Sequence, residues 1–140
     1  MLEKIEETVS FLRDEGFEDP YAGIILGTGL GGLVSKMKII KEIDYAQIPN
    51  FPVSTVSGHE GRLIYGDFGN KKIVAMKGRF HYYEGYDVEK LVFPIRVLKY
   101  LGIRSLFLST AAGGINPDFN IGDIMIITDH INLLPNPLVG

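Results

Sequence analysis

Twice in this 140-residue chain a short apolar block runs straight into a string of small residues. Gly23-Ile24-Ile25-Leu26-Gly27 enters Thr28-Gly29-Leu30-Gly31-Gly32, and Leu106-Phe107-Leu108 enters Ser109-Thr110-Ala111-Ala112-Gly113-Gly114. Blocks this short suit buried strands, whereas a helix needs ten residues or more. Small residues at the carboxyl end of a strand let a ligand or a second backbone come close. Open α/β sheets hold their ligands at that end. These two junctions therefore narrow the choice of fold more than any other feature.

The intervening chain is consistent with such a sheet. Leu2, Ile5, Val9 and Leu12 recur at helical spacing, and Gly16 can end that helix. Residues 43–48 predict a strand closed by Pro49. Residues 63–68 and 72–76 predict two strands joined by Gly69-Asn70, which is hairpin chemistry. Asp87 is placed to cap a helix over 88–101 that ends at Gly102, although Pro94 must remove one of its hydrogen bonds. Ile124-Met125-Ile126-Ile127 predicts a further strand. Helices alternate with strands around a central hairpin, so the expected class is α/β, with a mixed central β-sheet flanked by helices. There is no internal repeat or low-complexity linker, and residues 1–140 read as part of a single domain. The last residues, Asn136 to Gly140, are turn-like and close no element, so the domain is expected to be truncated.

Composition excludes several classes. With no cysteine, a disulfide framework, a thiolate metal site and a cysteine nucleophile are all ruled out. Seventeen acidic residues against 14 Lys and Arg, with no basic run, oppose nucleic-acid binding. No apolar run approaches membrane-spanning length, and the acidic start Met1-Leu2-Glu3-Lys4 is unlike a signal peptide, so a cytoplasmic protein is expected.

Three clusters could carry chemistry. Around Gly27-Thr28-Gly29, turned-in backbone N–H groups and the Thr28 hydroxyl could meet an anion; a plain strand-to-helix turn is an equal reading. The same stretch fits the dinucleotide pattern G-x-G-x-x-G at Gly27, Gly29 and Gly32, with Glu42 or Asp44 as the ribose acid, but too few residues follow for a long crossover helix. In Ser57-Gly58-His59-Glu60-Gly61-Arg62 a histidine between two glycines belongs on a loop, either at a site or simply in solvent. Gly78-Arg79-Phe80-His81-Tyr82-Tyr83-Glu84-Gly85-Tyr86 lies between a strand and a helix. If extended, it puts Arg79, His81 and Tyr83 on one face. Arg79 offers a donor fork suited to phosphate, Glu84 is near enough to orient His81, and Tyr83 suits a sugar. Phe80 and Tyr86 are expected to pack on the core. The histidines at 59, 81 and 130 have no metal-ligand spacing. Together the clusters describe an oxyanion site whose anion is a substrate.

In this order, these segments resemble the trimeric purine nucleoside phosphorylases. The matching stretches are Gly27 to Gly31, Ser54 to Leu63, Gly78 to Tyr86, Ala111 to Gly114, Gly122 to Met125 and Asp129 to Leu133. The resemblance implies that phosphate attacks the anomeric carbon of a purine nucleoside of the inosine or guanosine type, releasing the base and α-ribose 1-phosphate. No metal or organic cofactor is implied, because inorganic phosphate is itself a substrate. Carried over, Thr28, Arg79, His81 and the Ala111 backbone N–H bind phosphate, with His59 beside it. Glu84 orients His81, and Tyr83 contacts ribose. Thr110 stands where the family usually has asparagine. The chain matches the first half of the family, so it should carry the phosphate and ribose side while the base-reading residues lie beyond it. A homotrimer, with no nucleic-acid or membrane partner, is the implied assembly. A methylthioadenosine phosphorylase, a dinucleotide-binding module and a non-catalytic fragment remain the alternatives.

Overall fold

The central strands are buried almost without a break, and because successive side chains point to opposite faces, both faces of the sheet are covered. In the computed structural model, which describes residues 1–27, 29–53 and 61–138, strand β1 is Ala22–Leu26 and strand β2 is Lys38–Asp44. Strands β3 (Arg62–Phe68) and β4 (Lys71–Lys77) form the predicted hairpin, and β5 is Ser105–Leu108. Leu63 and Tyr65 on β3, Val74 and Met76 on β4 and Ile25 on β1 enter one apolar cluster. Their neighbours Ile64, Ile73, Ala75, Ala22 and Leu26 enter a second. The sheet order is β2-β3-β4-β1-β5. β1 runs parallel to β4 and β5, whereas β2, β3 and β4 pair antiparallel, so the sheet is mixed as expected.

Two helices contribute to the larger cluster. α1 (Leu2–Asp14) contributes Ile5, Val9 and Leu12, and α2 (Val88–Leu101) contributes Phe93, Val97, Leu98 and Leu101. Thr8 is the fully buried polar residue of α1, and its hydroxyl lies 2.7 Å from the Lys4 carbonyl and 2.8 Å from that of Pro49. Pro94 sits buried within α2 without ending it, and Gly102 closes the helix in the left-handed conformation at φ 111°. Asp87 occupies the N-cap position through its backbone alone: its carbonyl accepts from Lys90 and Leu91, and its carboxylate makes no capping bond. Among the described residues, no helix is long and apolar enough to cross a membrane.

Two expectations are corrected. The strand predicted over 43–48 lies earlier, because β2 pairs with β3 from Lys38 to Asp44. After Asp44 the chain turns into a short 3₁₀ segment, Tyr45–Gln47, in which the Gln47 side chain accepts from the Asp44 N–H at 3.3 Å. β2 is an edge strand with Ile39 and Ile40 largely exposed, so its sequence lacks the alternation that marks a half-buried strand. Ile124 to Ile127 form no strand: all four are exposed, and no described strand pairs with them. Apolar β-formers become a strand only when a neighbouring edge takes up their N–H and C=O groups.

Candidate active site

Three parallel strands, β4, β1 and β5, end on the same side of the sheet. Their carboxyl ends deliver Arg79, Gly27 and Ser109-Thr110 to one place. Ser109 ties the last two together. Its hydroxyl donates to the Ile25 carbonyl at 2.9 Å and accepts from the Gly27 N–H at 3.1 Å. Arg79 crosses from the end of β4, donating from Nη1 to the Ser109 carbonyl at 3.3 Å and from Nη2 to Thr110 Oγ1 at 3.2 Å. A cleft of ≈ 370 Å³ opens beside these groups, walled by Ile25, Met76, Phe80, Leu91, Ile95 and Leu108 and reached by Ile127.

His81 completes the polar rim. Arg79 Nε donates to His81 Nε2 at 3.0 Å, so that nitrogen accepts and the ring proton belongs on Nδ1. There it faces Glu84 Oε1 at 2.8 Å. The same carboxylate oxygen accepts from the His81 backbone N–H at 2.9 Å, fixing ring and backbone together. The chain does not stay extended beyond His81: Tyr82–Glu84 form a 3₁₀ turn, which brings Glu84 back. That turn also stacks Tyr83 on His81, with ring centroids 4.8 Å apart and the tyrosine 83% exposed. The free face of Tyr83 is thus open to a ligand. Burial and the neighbouring Glu84 carboxylate both raise the Tyr86 phenol above its ordinary pKa, and its hydroxyl donates to the Val53 carbonyl at 2.6 Å.

The structure thus brings Arg79, His81, Glu84 and Tyr83 together. Ala111 is exposed and follows Thr110 at the rim, where the Thr110 hydroxyl donates to its carbonyl at 3.3 Å. Thr28 and His59 lie outside the described residues. Phe80 packs on the core as expected, and Tyr86 meets it edge-on at 5.7 Å. Sequence reasoning placed Ser109 in a small-residue run but did not assign it the bridging role. Ser109→Ala is expected to cost about 1–2 kcal/mol, by removing the bond to the Gly27 N–H and one of two to the Ile25 carbonyl. Urea unfolding of both chains measures this.

The dinucleotide reading fails on geometry. A 3₁₀ segment, Gly31–Lys36, follows the glycine run where that reading needs a long helix. A side chain at Gly32 would meet nothing within 4 Å, although the third glycine of the pattern exists for close packing. Glu42 and Asp44, its two ribose acids, instead bind Arg62 at 3.1 and 2.9 Å.

Residues 21–138 match the family model described as the phosphorylase superfamily. The chain is 48% identical to purine nucleoside phosphorylase 1 of Bacillus subtilis, over 100% of this chain and 52% of that protein. It is also 48% identical to the purine nucleoside phosphorylase of Bos taurus, over 99% of this chain and 49% of that one. It thus spans about half the length of these relatives. Among solved structures, the Schistosoma mansoni purine nucleoside phosphorylase in complex with acetate superposes with a TM-score of 0.81 at 43% identity, covering 86% of this chain and 44% of that one. A purine nucleoside phosphorylase in complex with ribose-1-phosphate gives a TM-score of 0.79 at 43% identity, over 87% and 45%. The mixed five-stranded sheet, the order of the site-bearing segments and these matches lead to one conclusion: the chain belongs to the phosphorylase superfamily, beside its purine nucleoside phosphorylases.

Proposed function

We propose that this chain supplies the phosphate and ribose side of a purine nucleoside phosphorylase site. The observation that carries the reading is the convergence of the Arg79 fork, the Glu84-held His81 and the Ser109-Thr110 backbone where three parallel strands end. In the reaction, phosphate oxygen bonds to the anomeric carbon of the nucleoside as the carbon–nitrogen bond breaks. The bonding pair leaves with the purine, more easily when a ring nitrogen is protonated or hydrogen-bonded. The sugar carbon gains positive charge on the way, and a phosphate dianion held beside it stabilises that charge.

This chain's residues act on the anion. Arg79 gives a two-pronged, permanently charged donor. His81 Nε2 accepts from Arg79 Nε, and once phosphate takes up the guanidinium donors that lone pair is free to accept from a protonated phosphate oxygen. The Glu84 carboxylate on Nδ1 holds the ring in the tautomer that presents this lone pair. The Ala111 N–H, the Thr28 hydroxyl and His59 are further phosphate contacts in this proposal, and Tyr83 lies against ribose. The reaction calls on no organic cofactor or metal. The same reading makes residues 1–140 one portion of a single phosphorylase domain that acts in the cytoplasm as a homotrimer, away from nucleic acid and membranes.

Melting the chain with phosphate, with NAD and with neither tests the reading. Phosphate at a hundredfold excess over its dissociation constant should stabilise the folded state by about 2.7 kcal/mol. NAD should not move the transition. A shift with NAD alone would sink the proposal. Inosine phosphorolysis, followed by release of hypoxanthine, then asks whether the chain completes the reaction.

A further inference from the structure

The segment that carries Arg79 and His81 is anchored from outside the site, and the anchor is a residue to which the sequence assigns no role. Tyr45 follows β2, and it is 3% exposed. Its ring lies 5.3 Å from that of Phe80, the residue between Arg79 and His81, and 5.5 Å from Phe51. Its hydroxyl donates to the carbonyl of Gly78 at 2.8 Å. Gly78 has φ +101°, a conformation that side-chain-bearing residues rarely adopt, and it sets the direction in which β4 releases the chain to Arg79.

A second strand end passes through the same joint. The Tyr45 N–H donates to the Gly61 carbonyl at 2.9 Å. A Cβ at Gly61 would come within 2.1 Å of the Tyr45 ring, so that backbone lies directly against it. A Cβ at Gly78 would in turn come within 3.2 Å of the Gly61 Cα. Tyr45, Gly61 and Gly78 therefore form one close-packed knot at the point where β3 begins and β4 ends.

We propose that Tyr45 is a positioning residue of the anion site, holding the Gly78 carbonyl so that Arg79 and His81 meet at hydrogen-bonding distance. This rests on the reading of Arg79 and His81 as the phosphate-binding pair. Burial raises the Tyr45 phenol far above its ordinary range, so it remains a neutral donor wherever the protein is folded. Pre-set donors of this kind matter because a misplacement of about 1 Å can cost a site most of its effect.

The test uses Tyr45→Phe, which keeps the ring against Phe51 and Phe80 and deletes the bond to Gly78. Two quantities are read on folded protein: phosphate affinity by titration calorimetry, and the ¹⁵N resonance of His81 Nε2 without phosphate. The variant should bind phosphate roughly tenfold more weakly, the scale of one lost buried hydrogen bond. The His81 resonance should move as its bond from Arg79 loosens. Gly78→Ala disturbs the same knot from its exposed side and should produce both changes; it decides alone if Tyr45→Phe does not fold. A purely structural role for Tyr45 predicts a lower melting temperature with unchanged affinity and an unmoved His81 resonance, and that result overturns the proposal while leaving the phosphate reading intact. No phosphate binding by the unsubstituted chain overturns the phosphate reading itself, and this proposal with it.

Discussion

Arg79→Ala is expected to weaken phosphate binding a hundredfold or more, on the scale of about 3 kcal/mol for losing two charge-assisted hydrogen bonds to the anion. The guanidinium is the only permanently charged donor among the described residues lining the cleft, and it stands between the ends of β4 and β5. The loss should appear in titration calorimetry and as the disappearance of the phosphate-dependent melting shift. Melting without phosphate should change little, because the arginine's bonds to Ser109 and Thr110 are long and partly solvated. Arg79→Lys should fall between the two, keeping the charge while losing the fork. Unchanged affinity in Arg79→Ala would place the phosphate elsewhere.

Gly27→Ala should damage fold and site together. A Cβ at Gly27 would lie 2.5 Å from the Ser109 carbonyl oxygen, 3.0 Å from its carbon and 3.1 Å from Thr110 Cα. All three are backbone atoms, so no side chain can swing aside. β1 and the chain leaving β5 must separate, at a cost of about 3 kcal/mol, the upper part of the range for overpacking. In a domain of this size that lowers the melting temperature by about 10 °C. The separation carries Ser109 and Thr110 away from Arg79, so phosphate affinity should fall as well. Gly32→Ala is the matched control: a Cβ there meets nothing within 4 Å, and neither quantity should move appreciably. Equal effects at the two glycines would show that the approach of β1 to Ser109 is not what position 27 serves.

The contrast between these glycines shows where a sequence stops being informative. Gly27 and Gly32 stand in the same run and fit the same pattern, yet one is pressed against backbone and the other is open. Spacing along the chain records neither fact, because the neighbour of Gly27 is Ser109, 82 residues away. Glu84 is the opposite case. Its distance from His81 in sequence is one helical turn, and a 3₁₀ turn brings its carboxylate to both the ring and the backbone of that histidine. Local contacts of this kind can be read from residue types, because few conformations connect residues three apart.

Residue order alone determined the helices over Leu2–Asp14 and Val88–Leu101, the hairpin turning at Gly69-Asn70, the strands that end in small residues and the polar cluster from Arg79 to Glu84. Each depends on periodicity, turn chemistry or contacts within a few residues, and a chain carries these wherever it lies. The tertiary structure alone decided three other things. It made an edge strand of Lys38–Asp44, because pairing with β3 can recruit residues that bury little. It left Ile124 to Ile127 without a ladder, because strand-forming residues need an edge to bond. It set the Tyr45 hydroxyl against the Gly78 carbonyl, because groups 33 residues apart meet only when the sheet that separates them in sequence has closed.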